Sequence, residues 1–310
     1  MTLDNLIERF RFLSIWLGII QSKLDFDDWR SSPQFATPRG LGRVALLACL
    51  LGILWGINGT FVVMLSLNHT FPPAEETIRS IPAVLLSEER ISMLWRWFFY
   101  GWAMCTFHLL EFFTTAVYNP TVTSANSYLV NHSKAYTAAF LIAAAEFWIK
   151  FLFFPSFNSA FLGGIAILIV LISQAIRSAA MITCGESFNH LIQTSKKDNH
   201  ILITHGIYRY LRHPSYVGFY YWSVGTQLVL GNHITAVVFG AASWMFFRRR
   251  IPYEEESLLQ HFPKSYPLYA QSTIVGIPFV SSHGWKELVL EESMPEEDEQ
   301  QTKDENDKNK

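Results

Sequence analysis

Residues 44–67 read VALLACLLGILWGINGTFVVMLSL, an apolar stretch without a charged side chain. At a rise of about 1.5 Å per residue, a helix of this length can cross a hydrocarbon core of about 30 Å. The composition agrees, because 50% of all residues are hydrophobic and only 16% are charged, whereas soluble domains carry about 25% charged residues. The sequence therefore predicts an integral membrane protein.

Further apolar segments follow this one along the chain. The last two flank Gly231 and Asn232, a turn signal that predicts a helical hairpin. The segments are Met93–Val117, Ala135–Phe154, Phe161–Thr183, Tyr216–Leu230 and Ile234–Phe247. We therefore expect an all-α fold, a polytopic helical bundle of about six transmembrane segments. Each hairpin arm reaches only about 22 Å, so we expect the arms to be tilted, extended at their ends or re-entrant.

Basic residues predict the orientation of the bundle. They cluster before the first segment, before the hairpin, and after it at Arg248 to Arg250. The positive-inside rule places these three regions on the cytosolic side, and an even number of crossings places both termini there as well.

The chain divides into three parts. Residues 3–20 mix charges with bulky apolar side chains, which is typical of an amphipathic helix in the membrane interface, so residues 1–41 are predicted to be a cytosolic or interfacial segment. Residues 42–285 form the membrane domain, with its catalytic part at about 185–280. Residues 286–310 contain 10 acidic and 4 basic residues and are predicted to be a disordered acidic tail.

Several familiar kinds of site are missing from the sequence. The spacing of Cys49, Cys105 and Cys184 indicates neither a disulfide framework nor a thiolate metal site, and we expect all three to be packing residues. No GxSxG elbow, HExxH pair, P-loop or glycine-rich dinucleotide fingerprint occurs, and the ten histidines form no zinc pattern. A metal-free reaction is favoured.

The string HGIYRYLRHPSYVGFYYW, residues 205–222, concentrates ionisable and hydroxyl groups at the start of an apolar helix. Pro214 suits the first helical position and biases His213 away from the α conformation, so a helix should begin there. We expect the first-turn amides near Ser215 and Tyr216 to form an anion site, and Tyr208 and Tyr216 to offer aromatic surfaces to an adenine ring or a cation. The alternative is a plain membrane helix with its polar residues at the headgroups.

The string RRRIPYEEESLLQHFPKSYPLY, residues 248–269, follows the hairpin. Pro252 is predicted to open a second helix, with Glu254 in its first turn. The fixed fork of an arginine suits two-point contact with a carboxylate, so Arg250 is a candidate carboxylate clamp and Glu254 a partner for amino or hydroxyl groups of a ligand. The alternative is a positive-inside stop followed by a capped surface helix.

Charged residues also occur inside the predicted spans. His108 and Glu111 are three positions apart and Glu146 and Lys150 four apart, so each pair shares a helix face. Arg177 stands alone in the sequence. Such residues are either functional or structurally paired; we expect pairing for Glu146 with Lys150, and we consider a substrate entrance for His108 and Glu111.

At these residues the chain resembles the isoprenylcysteine carboxyl methyltransferases. The likeness covers about residues 95 to 279. Its motifs are FHLLEFFTTAVYNP, SYLVNHSKAYT, RSAAMITCGESFNHLIQ, HILITHGIYRYLRHPSYVG, YYWSVGTQL and the arginine and glutamate segment after the hairpin. RHPxYxG alone is less specific, since phospholipid methyltransferases and membrane sterol reductases carry similar strings. At the N-terminus the chain lacks the two extra spans of animal members and is closer to fungal ones.

The resemblance implies a multi-pass endoplasmic-reticulum enzyme that uses S-adenosylmethionine to esterify the C-terminal prenylcysteine of CaaX-type proteins such as small GTPases. Membrane lipid would be a further partner, and no metal or nucleic acid is expected. Arg250 would meet the substrate carboxylate and act as the catalytic residue. A donor pocket at the cytosolic face would be lined by Gln193, His200, Ile201, Leu202, Ile203, Tyr208, His213, Pro214, Ser215, Tyr216 and Glu254.

The chemistry of the residues is compatible with this interpretation. A carboxylate is already ionised at neutral pH, so its attack on a sulfonium methyl requires alignment and exclusion of water rather than a strong general base. Three alternatives remain: methylation of a phospholipid amine, NADPH-dependent sterol reduction, and a membrane scaffold without catalytic activity.

Overall fold

The computed structural model describes residues 38–70, 87–130, 134–155, 160–188 and 201–280. The predicted acidic tail and most of the predicted N-terminal segment lie outside these residues, as do Gln193 and His200. Within the described part the secondary structure is helical, with a single isolated β-bridge between Leu211 and Ile274. The all-α prediction is therefore confirmed for the described residues.

Seven α-helices make up the described part of the chain. Short 3₁₀ turns at 120–122, 125–128, 185–187 and 206–209 connect them. The helices are α1 (Pro38–Thr70), α2 (Glu88–Tyr118), α3 (Lys134–Phe153), α4 (Ala160–Cys184), α5 (Pro214–Leu230), α6 (His233–His261) and α7 (Ser265–Gln271). Helix α1 begins at Pro38, within the stretch that the sequence assigned to the N-terminal segment.

Three of the described helical stretches are long and apolar enough to cross a membrane, namely Gly42–Leu67, Lys134–Phe153 and Leu162–Ser187. They coincide with the first, third and fourth of the six predicted segments. The other three predicted segments are helical, but α2 contains several charged residues and α5 has only 17 residues. A count of six spans therefore remains a prediction.

Aromatic rings and close helix contacts form the core around α5. The ring of Phe107 on α2 stacks on Trp222 of α5 with centroids 4.5 Å apart. Helices α4 and α5 approach closely at Gly218, where an added Cβ would lie 2.8 Å from the carbonyl oxygen of Ser173 and 2.7 Å from Cβ of Arg177. Glycine at this position is what allows the two backbones to meet.

The hairpin is formed by α5 and α6, joined by Gly231 and Asn232. Gly231 ends α5 in the left-handed conformation, at φ 69°, which favours glycine. Helix α6 has 29 residues and is about 43 Å long, so the second arm extends well beyond its apolar part. The predicted extension is thus confirmed for this arm.

Pro252 does not open a new helix. It lies inside α6, which continues to His261, so Glu254 belongs to the interior of a long helix rather than to a first turn. A proline in a helix removes one backbone hydrogen bond, to the carbonyl four residues earlier. That carbonyl belongs to Arg248, a residue that is exposed. The prediction of a second helix, and the argument from its dipole, was wrong.

The α5–α6 hairpin defines two ends of the bundle. The turn end is where Gly231 and Asn232 join the two helices, and the site end is the opposite one. At the site end, Arg177 of α4 contacts Glu111 of α2 and Ser215 at the start of α5. At the turn end, Glu146 and Lys150 of α3 contact the turn between α5 and α6. The predicted functional strings, 205–222 and 248–269, both belong to the site end.

Candidate active site

A cavity of about 570 Å³ lies between α2, α3, α4, α5 and α6 and extends to the segment before α5. Most of the predicted site residues line it: Ile201, Leu202, Ile203, Tyr208, His213, Ser215, Tyr216, Arg250 and Glu254. Pro214 does not line the cavity; it is buried as the first residue of α5, where its fixed φ suits the helix start. Gln193 and His200 lie outside the described residues.

The segment before α5 and the continuation of α6 meet directly in this cavity. The hydroxyl of Tyr216 donates to Oε2 of Glu254 at 2.6 Å, and Nε of Arg250 donates to the Tyr216 hydroxyl at 2.8 Å. The ring of Tyr216 also lies parallel to that of His213, at an interplanar angle of 5° and 5.5 Å between centroids. The two sequence strings therefore form one continuous wall of polar groups.

Beneath this wall lies a buried network that the sequence did not reveal. Glu255, only 1% exposed, accepts a hydrogen bond from Nε of Arg212 at 3.0 Å and lies 2.9 Å from Nε2 of His213. Burial alone would raise the pKa of the Glu255 carboxyl, but His213 and Arg212 outweigh burial and hold the pKa below its usual value. Arg212 also donates to the backbone carbonyls of Ala270 and Thr273, which fixes the segment after α7.

Arg177, which stands alone in the sequence, has partners on two other helices. It forms a two-point ion pair with Glu111, with Nη2 to Oε2 at 2.8 Å. Its Nη1 donates to the carbonyl oxygen and the hydroxyl of Ser215 at 3.1 and 3.0 Å. Arg177 lines the cavity and is 6% exposed, so a buried ion pair anchors the start of α5.

His108 and Glu111 each bind residues outside α2. Nδ1 of His108 lies 2.8 Å from the carbonyl oxygen of Tyr128, and Nε2 lies 3.1 Å from the hydroxyl of Tyr136. Neither His108 nor Glu111 lines the cavity, whereas Tyr136 does. The idea that the two residues shape a substrate entrance is not supported by this placement.

The expected anion site at the start of α5 is partly occupied by the chain itself. The amides of Tyr216 and Val217 both donate to the carbonyl oxygen of His213, at 3.0 and 3.1 Å. The polar character of this end of the cavity therefore comes from side chains rather than from the amide of Tyr216.

Tyr208 closes the polar end of the cavity from the side of α4. Burial, together with nearby Cys184 and Glu254, raises the pKa of the Tyr208 hydroxyl, so this group stays protonated at neutral pH and is not a base. Cys184, which the sequence predicted to be a packing residue, lies beside Tyr208 and lines the cavity. The described cysteines are all free thiols, and the described residues contain no group of three side chains placed to hold a metal ion.

The cavity continues from this polar end between apolar walls. Phe219 and Trp222 of α5 line one side, and Phe239 of α6 lines another. Phe140 of α3 and Phe246 of α6 also line the cavity and are 40% and 54% exposed. The cavity therefore joins a polar compartment to an apolar one bordered by exposed rings of α3 and α6.

Comparison with known proteins identifies relatives for most of this chain. The isoprenylcysteine carboxyl methyltransferase (ICMT) family matches residues 165–260. Protein-S-isoprenylcysteine O-methyltransferase of Dictyostelium discoideum is 46% identical over 175 residues, 56% of this chain and 74% of the relative. Its counterpart of Mus musculus is 37% identical over 242 residues, 77% of this chain and 75% of the relative.

A solved structure also matches. It is described as the eukaryotic intramembrane Ras methyltransferase ICMT without a monobody, and it superimposes with a TM-score of 0.66 at 30% sequence identity. The match covers 91% of this chain and 88% of the other.

Proposed function

The chain belongs to the isoprenylcysteine carboxyl methyltransferase family, and we propose that it transfers the methyl group of S-adenosylmethionine to the C-terminal carboxylate of isoprenylcysteine in prenylated proteins. The observation that carries this proposal is the joined cavity. Its polar compartment contains Arg250, Tyr216 and Glu254, and its apolar compartment is lined by aromatic rings that include the exposed Phe140 of α3 and Phe246 of α6. A substrate with a carboxylate on one side and a long hydrocarbon chain on the other requires both compartments.

The residues of the polar compartment fit a sulfonium nucleoside. Tyr208 and Tyr216 offer aromatic faces, Ile201, Leu202 and Ile203 offer an apolar wall, and Glu254 offers a carboxylate to amino or hydroxyl groups. When bound, S-adenosylmethionine would supply an electrophilic methyl group. Gln193, His200, His213 and Ser215 complete the proposed pocket, and Pro214 contributes by fixing the start of α5.

Arg250 is the proposed catalytic residue. Its Nε is held by the Tyr216 hydroxyl, which is itself held by Glu254, so the guanidinium has a defined position in the cavity wall. A fixed guanidinium fork can hold a carboxylate in two-point contact and orient the attacking oxygen. Because the carboxylate is already ionised, the chain needs no base at this position.

The isoprenoid would lie in the apolar compartment. Entry between Phe140 and Phe246 would allow the lipid to move sideways from the bilayer into the cavity without crossing water. Burial of the isoprenoid contributes about 0.8 kcal/mol per CH₂-sized group, several kcal/mol in total. Affinity for the lipid then comes mainly from this compartment, while Arg250 determines the position of the carboxylate.

The proposal extends to finer assignments. The substrates would be CaaX-type proteins such as small GTPases, in contact with membrane lipid. The arginines 248–250 at the site end favour a cytosolic active site, with both termini cytosolic, in a multi-pass endoplasmic-reticulum protein. Residues 42–285 would be the methyltransferase domain, with its catalytic part at about 185–280, between an interfacial N-terminal segment and an acidic tail.

Purified full-length protein in lipid, supplied with radiolabelled S-adenosylmethionine, tests the proposal. N-acetyl-S-farnesylcysteine should be methylated and N-acetylcysteine should not. Arg250→Ala should lower kcat/KM by about 100- to 1000-fold, whereas Arg249→Ala, at an exposed neighbour, should stay near wild type. Labelling of phosphatidylethanolamine, or NADPH oxidation with a sterol, in place of labelling of the farnesyl compound would refute the assignment.

A further inference from the structure

The inner end of the apolar compartment is polar. Along α5 the cavity is lined from Ser215 to Gln227, a distance of about 18 Å at the rise of a helix. Aromatic rings line the middle of this path, but its inner end is lined by Thr226 and Gln227 of α5 and Tyr100 of α2. These three side chains are 2%, 0% and 4% exposed, so they lie deep inside the bundle.

A hydrogen-bond network connects these inner residues to the turn of the hairpin. Tyr100 lies beside the side chain of Gln227. Nε2 of Gln227 donates to the hydroxyl of Thr226 at 3.4 Å. Nδ2 of Asn232 donates to Oε1 of Gln227 at 3.3 Å and to the carbonyl oxygen of Ala143 at 2.8 Å. We name Tyr100, Thr226, Gln227 and Asn232 the polar floor; its hydrogen bonds tie α3, α5 and the turn together, and Tyr100 of α2 lies beside them.

The turn behind the polar floor is itself held in place. Glu146 of α3 accepts hydrogen bonds from the amides of Ile234 and Thr235 at 3.1 and 2.7 Å, and Lys150 donates to the carbonyl oxygen of Gly231. The floor therefore cannot retreat toward the turn end without breaking these contacts as well.

We propose that the polar floor sets the maximum length of isoprenoid that the enzyme accepts, an inference that rests on the proposed function. A hydrocarbon end has no hydrogen-bonding group to offer. To advance past the floor, it would have to separate buried polar groups from their partners, which is costly in a site without water. Chains that end before the floor gain affinity with each added isoprene unit, and chains that reach it do not.

A series of cysteine substrates tests this inference: N-acetylcysteine carrying geranyl, farnesyl, geranylgeranyl or geranylfarnesyl groups. The wild-type enzyme should show a rise of kcat/KM with length up to one chain and then a fall. Gln227→Ala and Tyr100→Leu each remove floor atoms and should raise kcat/KM for the next longer chain, relative to the wild-type optimum, by about tenfold. Gln174→Ala, which truncates the same amide on α4 outside the cavity, should keep the wild-type profile.

The outcomes separate the two proposals. If none of the four substrates is methylated, the proposed function fails. If they are methylated but kcat/KM rises steadily to the longest chain, or if both folded floor variants keep the wild-type optimum, the polar floor is not the length limit. If the floor variants do not fold, the wild-type series alone tests the inference, because the inference requires that kcat/KM reach a maximum within that series.

Discussion

The two ends of the α5–α6 hairpin both depend on charged side chains from neighbouring helices, but they use those charges differently. At the turn end, Glu146 and Lys150 bind backbone amides and carbonyls of the turn. At the site end, Arg177 binds Glu111 and Ser215, and it also lines the cavity.

The difference between the two ends separates charged residues that only stabilise the bundle from those that also face a ligand. At the turn end the charged groups satisfy the helix termini, which leave backbone groups without intrahelical partners. At the site end the charged groups are joined by side-chain contacts, and several of them also face the space that a ligand would fill. Lining of the cavity, rather than the presence of a charge, distinguishes the functional end from the structural one.

The largest expected effect is loss of stability at the site end. Glu111→Ala leaves the guanidinium of Arg177 buried without its carboxylate, which should cost about 3–5 kcal/mol. Unfolding of the purified protein in detergent should reveal this as a large drop in midpoint. Glu89→Ala, an exposed residue at the start of the same helix, is the matched control. A loss below about 1 kcal/mol would mean that Arg177 is well solvated without Glu111.

A second test concerns the cavity wall. Glu254→Gln keeps the size of the side chain and removes its charge, so the fold should persist while the contact with the donor weakens. We expect KM for S-adenosylmethionine to rise by about 10- to 100-fold, as for the loss of a hydrogen bond to a charged group. Steady-state kinetics measures this, with Glu256→Gln at an exposed neighbouring position as the control. An equal rise in both variants would remove Glu254 from the donor site.

Local sequence signals predicted much of this arrangement. The apolar stretches give the helices, and Pro214 marks the start of α5 because its ring fixes the backbone there. A hairpin returns its two ends to the same side, which brings residues 205–222 and 248–269 together, and the hydrogen bond from Tyr216 to Glu254 shows that they meet.

Contacts between distant helices could not be predicted in this way. Arg177 and Glu111 are 66 positions apart, and a helical pattern does not tell which helix faces which. Glu146 and Lys150 share a face, as expected, but they bind the hairpin turn rather than simply each other. Pro252 was expected to start a helix because that is its usual position, yet α6 continues through it.

The turn end should respond to mutation in stability and not in catalysis. Glu146→Ala removes the hydrogen bonds to the amides of Ile234 and Thr235 at the start of α6, and a lost helix cap costs about 1–2 kcal/mol. The unfolding midpoint should fall, while kcat for the farnesyl substrate in the folded protein should stay close to wild type. A strong loss of kcat in the fully folded variant would show that the two ends are coupled, and the distinction between a structural and a functional end would then be wrong.

The smallest expected effect is a change in how stability depends on pH. Because Arg212 and His213 hold the pKa of Glu255 below its usual value, ionised Glu255 stabilises the fold at any pH above that usual value, about 4.3. As pH falls through the lowered pKa, protonation removes this contribution, so wild-type stability should decline below about pH 4. Glu255→Gln, with nothing to protonate, should be less stable at neutral pH, and its stability should decline less steeply as pH falls.

Unfolding midpoints between pH 3 and 6 measure both slopes. Gln260→Ala on the same helix changes no titratable group and should match wild type. Parallel slopes in the Glu255 variant and wild type would mean that the buried network at the site end does not depend on this charge.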